Sequence, residues 1–200
     1  GTTDQLTPVA VSGGKTFTRM FLGWGGAACA LEGSGAAWCW GQGGSGELGN
    51  GVAANQLTPV AAAPGLTFAS LSVTAFSTCG LTAAGATWCW GSNLSGAIGN
   101  GTTGGNVFAP TLVSGGHQFA EITGGDQSHC GRKSDGTVFC WGQNDGGQLG
   151  DGTTTNRSAP VAVVTAQRFV RLGGGRGGVC GLTAAGEAWC WGAFMGNATT

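Results

Sequence analysis

The sequence predicts an all-β tandem repeat protein, built of short antiparallel meanders that each end in a disulfide-tied hairpin. Three observations carry this. The tripeptide Cys-Trp-Gly recurs at Cys39–Gly41, Cys89–Gly91, Cys140–Gly142 and Cys190–Gly192, a period of 50 or 51 residues. All eight cysteines fall into pairs ten positions apart. Glycine makes up 43 of the 200 residues, and no amphipathic helical run interrupts the pattern. A unit of this length and composition buries its apolar faces only against copies of itself. Function is therefore sought in the array.

The chain reads as a single repeat domain with units of approximately 1–50, 51–100, 101–151 and 152–200. Each opens with Gly-Thr-Thr or a variant at Gly1, Gly51, Gly101 and Gly152. A short apolar stretch follows, opened by Pro8, Pro59, Pro110 and Pro160. One aromatic per unit comes next, Phe17, Phe68, Phe119 and Phe169, ahead of strand-like runs such as Phe68–Val73 and Phe119–Ile122 whose alternation predicts one inward side.

The hairpin that closes each unit pairs Cys29 with Cys39, Cys79 with Cys89, Cys130 with Cys140 and Cys180 with Cys190. A glycine holds a constant place between the members of each pair, at Gly35, Gly85, Gly136 and Gly186, as a three-residue loop ending in a left-handed residue requires. With Ala83–Gly85 as the loop, Thr82 faces Ala86, Leu81 faces Thr87, Gly80 faces Trp88 and Cys79 lies opposite Cys89. A non-hydrogen-bonded antiparallel pair sets Cα atoms about 4.5 Å apart, at the short end of disulfide geometry. Four local disulfides are the expectation, with reduced buried thiols and metal or redox chemistry as the alternatives. A zinc site is disfavoured because the spacing is not that of a short Cys knuckle, and the only histidines, His117 and His129, share one unit. Disulfides of this kind persist in oxidising compartments, which places the protein outside the cell or on its surface.

On the other face of the hairpin, Trp88, Phe139 and Trp189 lie across from Gly80, Gly131 and Gly181, whereas the first unit sets Ala30 opposite Trp38. A ring covering a strand glycine fixes register. Position-locked tryptophans of this sort read as core, with carbohydrate stacking as the competing reading. Both faces of the hairpin are then packed, as in a blade between blades.

These motifs resemble the regulator of chromosome condensation repeat family. The third unit matches best, through Gly125, His129, Cys130, Gly136, Cys140–Gly142, Gln143-Asn144, Gly147–Gly150 and Asp151–Thr154. The resemblance covers essentially the whole chain and implies a β-propeller, here of about four blades of four-stranded antiparallel sheet with one hairpin disulfide per blade. It makes His129 a structural hydrogen-bonding residue rather than a catalytic one. The chain departs from the family in two ways. A familiar member closes a ring with seven blades, and this chain supplies about four. The last unit also lacks the segment present at Gly46–Gly49 and Gly147–Gly150. The family's nucleotide-exchange activity does not transfer, since it belongs to particular loop residues rather than to the repeat.

The closing Asn197–Thr200 echoes Asn100–Thr103, and Gly1–Thr3 is the same element again. The strand after Pro8 can therefore complete the last blade of its own chain, complete it in another copy, or belong to a fragment. Between copies the outcome is a ring or an open filament, depending on whether the rotation closes. Composition points toward self-association. Only 8% of residues are charged, against the usual ~25%, none lies between Leu48 and Ala120, and the net charge is −1. Such a surface suits packing among copies, a glycan coat, or loops solvated by hydroxyl and amide groups. Four sequons, at Asn93, Asn100, Asn156 and Asn197, are candidate glycosylation sites.

Other chemistry is thin. No nucleophile turn, phosphate cradle or dense basic patch is present, so no catalytic residue, cofactor, metal or nucleic-acid partner is expected, and no apolar run suits membrane insertion. The glycines of Gly173–Gly178 read as a blade loop, and Asp145 and Asp151 as a weak calcium candidate without acidic counterparts in the other units. A signal peptide is expected to be removed or to lie outside this sequence. The leading expectation is an extracellular structural repeat protein that self-assembles end to end, as a filament or surface-layer subunit. The alternative is a soluble secreted propeller that binds a protein or glycan.

Overall fold

The computed structural model describes residues 6–193, and every regular element in them is a β-strand. Four antiparallel sheets follow one another as blades. The first holds β1 (Arg19–Leu22), β2 (Ala27–Leu31), β3 (Ala37–Gly41) and β4 (Gln56–Ala62), in that spatial order. The second holds β5 (Ser70–Val73), β6 (Ser77–Leu81), β7 (Thr87–Ser92) and β8 (Asn106–Leu112). The third holds β9 (Glu121–Gly124), β10 (Ser128–Arg132), β11 (Val138–Gly142) and β12 (Arg157–Ala162). The fourth has three strands among the described residues, β13 (Phe169–Gly175), β14 (Gly178–Thr183) and β15 (Ala188–Gly192).

Blades and sequence units are out of phase. The strands that contain Pro59, Pro110 and Pro160 are β4, β8 and β12, the outermost strand of the blade before. Proline tolerates this place because an edge strand leaves one side free of ladder bonds. Each of the first three blades is thus fastened by a strand from the next unit, which ties neighbours together through the chain itself.

The hairpin register follows the sequence expectation: Cys79 faces Cys89, Gly80 faces Trp88, Leu81 faces Thr87, and the Thr82 amide donates to the Ala86 carbonyl. Gly85 closes the loop with φ of 87°. All four local disulfides are formed, with Cα separations of 4.0–4.1 Å. These distances mark non-hydrogen-bonded pairs.

The glycine of Cys-Trp-Gly has its own cause. Pairing with the outer strand slips between Cys39 and Gly41, and likewise in the next two blades, a bulge that swings the intervening tryptophan onto the blade face. At Gly41, Gly91, Gly142 and Gly192 φ is 97–108°, and a Cβ there would sit 2.1–2.4 Å from a carbonyl oxygen of the preceding turn.

Two expectations are corrected. The ring over Gly80, Gly131 and Gly181 is that of Phe68, Phe119 and Phe169, each 2.4–2.5 Å from where a Cβ would stand. Trp88, Phe139 and Trp189 are cross-strand partners in register and lie beside that cover. The Gly173–Gly178 run is a loop only at Arg176 and Gly177, the turn between β13 and β14. Strand β13 continues through Gly175, because Gly174 must pass 2.3 Å (measured from an added Cβ) from the Gly124 carbonyl, an approach closed to any side chain.

Non-reducing peptide mapping is expected to return the four local cysteine pairs, with bridges between units as the contrary result. The double substitution Cys79→Ala, Cys89→Ala in a central blade is expected to lower unfolding free energy by about 3 kcal/mol, measured by denaturant titration.

Candidate assembly interface

Each blade has two unlike apolar faces. One carries the disulfide, and the other carries the tryptophan of Cys-Trp-Gly together with the unit's phenylalanine. In the first junction Cys29, Leu31, Ala37 and Cys39 of blade 1 pack against Phe68, Leu71, Val73 and Trp90 of blade 2. The second junction sets Cys79, Leu81 and Cys89 against Phe119, Ile122 and Trp141. The third sets Cys130, Val138 and Cys140 against Phe169, Leu172, Val179 and Trp191.

Polar contacts fix the docking angle. The amides of Phe68, Phe119 and Phe169 donate to the turn carbonyls of Gly35, Gly85 and Gly136 in the blade before, at 2.8–3.0 Å. The indole of Trp90 donates to the Glu47 carbonyl at 2.9 Å and that of Trp141 to the Ala97 carbonyl at 3.0 Å. Both acceptors belong to the loop after the previous Cys-Trp-Gly. That loop bends at Gly49 and Gly99, where a Cβ would strike the indole at 2.6–2.7 Å. Trp191 packs over Gly150 in the same way but has no acceptor for its indole N–H among the described residues.

At the two ends of the array these faces are uncovered. On blade 1, Met20 and Leu22 stand where Leu71 and Val73 stand in blade 2, and they are 57% and 74% exposed instead of 3% and 9%. Trp24 beside them is 69% exposed, and Trp40 is half-buried where Trp90 and Trp141 are fully enclosed. On blade 4, Leu182 is 40% exposed against 2% for Leu31 and 4% for Leu81. Its disulfide is half-buried, whereas the other three are fully enclosed. Blades 1 and 4 do not cover one another.

The fourth blade also has an open edge. No described residue pairs with β15 on the side where β4, β8 and β12 pair in the other blades. The segment Leu6–Val11, whose Pro8 matches Pro59, Pro110 and Pro160, lies outside every sheet with each of its residues exposed. The sequence left three routes for this strand, and among the described residues the intramolecular one is not taken.

His129 is buried between blades 2 and 3, where Nδ1 meets Ser72 Oγ at 3.1 Å and Nε2 meets Ser77 Oγ at 2.9 Å. Gly124 leaves room for this contact, since a Cβ there would stand 2.7 Å from Ser72 Oγ and 2.9 Å from His129 Nδ1. Burial lowers its pKa to about 3. A ring held neutral to that pH is a poor general base at pH 7 but a sound hydrogen-bonding hub.

Two loop organisers were not singled out from the sequence. Asn93 and Asn144, four residues after the second cysteine of their units, are buried inside the loops they fold. The Asn144 amide nitrogen donates to the carbonyls of Thr153 and Thr155 and to Asp151 Oδ1, while its oxygen accepts from Leu149 N. Asn93 does the same with Thr102 and Ile98. Their identical offset in units two and three was the available signal.

The sequons divide accordingly. Asn93 is corrected as a glycosylation candidate, because its side chain is 1% exposed and hydrogen-bonded at both ends. Asn156 is exposed and Asn100 half-buried at a loop surface. Asn197 lies outside the described residues. Asp151, the weak calcium candidate, instead accepts from Thr153, Arg157 and Asn144. Burial raises its pKa, and these hydrogen bonds outweigh that and leave it lowered. Asp145 Oδ2 accepts from Gln143 on the surface.

Residues 135–182 match the family model described as the regulator of chromosome condensation (RCC1) repeat, and residues 119–148 match a second model of the same description. No curated protein sequence matches the chain. Among solved structures, yeast RCC1 (Prp20), crystallised with Kap60, superposes with a TM-score of 0.80 at 19% identity, covering 94% of this chain and 46% of that one. Human WBSCR16 gives a TM-score of 0.79 at 19% identity, with 90% and 48% covered. The ectodomain of the Physcomitrella patens receptor kinase CR4 gives 0.60 at 25% identity, with 92% and 43% covered. The chain spans about half the length of the solved structures that it matches.

The buried histidine predicts an acid-sensitive fold. Its folded pKa lies below the 6.5 of the free side chain, so the unfolded chain binds the proton first. Stability from this site is complete above pH 6.5 and falls as pH drops from there toward 3, by on the order of 4 kcal/mol across the window. Thermal unfolding at stepped pH is expected to show this slope, and His129→Gln is expected to flatten it between pH 6.5 and 4 while lowering stability at pH 7. A slope unchanged in the variant would assign it elsewhere.

Proposed function

We propose, from the premise that the chain belongs to the regulator of chromosome condensation repeat family, that it is an extracellular structural subunit which joins copies of itself end to end. The observation that carries this is the edge of β15, which no described residue fills, together with the exposed segment around Pro8, which repeats the pattern of the strands that fill that edge in the other three blades. Strand addition satisfies main-chain donors and acceptors on both partners at once, and an unpaired edge is a liability until it is filled. The scarcity of charge removes the repulsion that would keep copies apart. The four disulfides and the likeness to a receptor ectodomain support an extracellular setting.

A second reading is favoured by the fold itself. Propellers of this family bind proteins, as the yeast structure with Kap60 illustrates, and the same chain could serve as a secreted binding module for a protein or glycan. The two readings differ in mass. A structural subunit runs as more than one chain, and an independent binder as one.

Deletion of residues 1–11 is expected to reduce the assembled species to a single chain in light scattering, with the hairpin disulfides intact by peptide mapping. An unmodified chain that stays at 19.6 kDa at high concentration would reject self-assembly and leave the binding module. In a glycosylating host, mass mapping is expected to find sugar at Asn156 and Asn100 and none at Asn93.

A further inference from the structure

We infer that Asn50 is a site of spontaneous deamidation, converting in the folded protein to aspartate and isoaspartate, and that the same dipeptide at Asn100 is protected by the contact between blades 2 and 3. Asn-Gly occurs twice in the chain, at Asn50-Gly51 and Asn100-Gly101, in equivalent places of the loop after Cys-Trp-Gly. The reaction favours glycine for a steric reason, since no Cβ hinders the approach of its backbone nitrogen to the preceding side chain. The two sites start alike in sequence, and the fold separates them.

The step is an internal acyl transfer. The Gly51 backbone nitrogen gives its proton to solvent hydroxide and bonds to Cγ of Asn50. The Cγ–Nδ2 bond then breaks, and ammonia leaves with a proton taken from water, which restores the hydroxide. Water opens the resulting five-membered succinimide at either of its two carbonyls, giving aspartate or isoaspartate. In sum, one carboxamide and one water become one carboxylic acid and one ammonia, with no oxidant or reductant and no other side chain required.

The contacts of nucleophile and electrophile differ between the sites. The Gly101 amide donates to the Ser158 carbonyl of β12 at 2.8 Å, whereas the Gly51 amide has no backbone acceptor among the described residues and lies at an exposed position. A nitrogen whose N–H is bonded neither loses its proton nor turns toward Cγ until that bond opens, so the contact between blades adds its own opening cost at Asn100. The carboxamides are held unequally as well. Asn100 Oδ1 accepts from Thr102 N at 3.1 Å and from Thr102 Oγ1 at 2.8 Å, while Asn50 Oδ1 accepts from Val52 N at 3.4 Å. Valine stands in the first unit where the others have threonine, and it has no hydroxyl to offer. The looser grip leaves the Asn50 side chain free to present its Cγ to Gly51.

The third unit shows what an aspartate does in this place. Asp151 is the counterpart of Asn50 and Asn100, and its Oδ1 accepts from Thr153 N and Thr153 Oγ1 in the same kind of turn, so the loop tolerates the product. Asp151 is also paired with Arg157, six residues on, at 2.8 Å. Six residues after Asn50 stands Gln56. The new carboxylate therefore has no cation in that place, and it puts a negative charge into the span from Leu48 to Ala120, which carries none. Isoaspartate goes further, because it inserts a methylene into the main chain one residue after Gly49, which packs under the Trp90 indole. The same loop supplies the Glu47 carbonyl to that indole. Ageing at Asn50 thus loosens the seat of Trp90 in the first junction.

The test incubates the full disulfide-bonded chain at mildly alkaline pH and follows both sites by mass spectrometry of peptic peptides, cut in acid where the reaction stops. The chain comes from a host that attaches no sugar, since Asn100 also heads a sequon. The expected result is a gain of about one mass unit at Asn50, divided between aspartate and isoaspartate. Its rate should exceed that at Asn100 by at least about tenfold, the factor that one net hydrogen bond corresponds to. In urea with the disulfides reduced, the two sites are expected to convert alike. Val52→Thr, which supplies the missing hydroxyl at an exposed position, is expected to slow Asn50 severalfold. An Asn50 that stays intact in the folded chain while converting in urea would overturn the site. Equal rates in the folded chain, or a faster Asn100, would overturn the protection, and so would a difference that persists in urea, because it would belong to the flanking residues and not to the fold. Aspartate without isoaspartate would rule out the succinimide route, and an unchanged rate in Val52→Thr counts against the loose carboxamide as a cause.

Discussion

A blade of this protein cannot cover both of its own faces. Its hairpin is closed on one side by a disulfide and on the other by an indole, and each side is apolar enough to require a neighbour. Everything else in the array follows from that. Trp90 and Trp141 each find a carbonyl in the loop of the blade before, and the outer strand of each of the first three blades comes from the unit after. Among the described residues blade 1 leaves its tryptophan face uncovered and blade 4 its disulfide face, and each internal junction joins one face of each kind.

Magnitudes show how far the disulfides can stand in for missing neighbours. Leaving Met20, Leu22 and Trp24 in water forfeits about 1.5–3 kcal/mol for each side chain that a neighbouring blade would bury. The hairpin bond of that blade, by restricting the unfolded chain, returns about 3 kcal/mol. It holds the hairpin in register but covers no surface. The bond therefore offsets only part of what the uncovered face forfeits, and the remainder is what a covering neighbour would recover.

Much of this architecture was legible in the residues. The ten-residue cysteine spacing and the glycine at Gly85 fix the hairpin register because loop length and strand pairing are local. The face partners were not legible in the same way. Phe68 lies twelve residues before Gly80 and reaches it across the sheet, whereas Trp88 is adjacent in register, so a reading based on cross-strand pairs selected the wrong ring. Asn93 carried a sequon that looked like a surface feature. Its burial depends on a loop folding around the amide, and that arises from contacts with Ile98 and Thr102 rather than from the three-residue motif. The glycines at Gly173–Gly175 resembled a loop because flexibility is the commoner reason for such a run. Here Gly174 is needed for backbone approach to Gly124 instead.

The divergence of the third unit makes sense once the junctions are seen as interchangeable. Where Val73 and Thr78 fill the space in blade 2, blade 3 has Gly124 and His129, with His129 reaching back to Ser72 and Ser77 of blade 2. A polar junction whose histidine is paired through both ring nitrogens costs more to misalign than an apolar one, because a displaced histidine or serine is left without a partner in a water-free site. The second junction therefore fixes the angle between the two halves of the arc more strictly than packing alone can. Apolar faces such as those of Met20 and Leu182 tolerate small shifts with little loss. This places the stricter constraint in the middle of the array and the more tolerant packing at its outer faces.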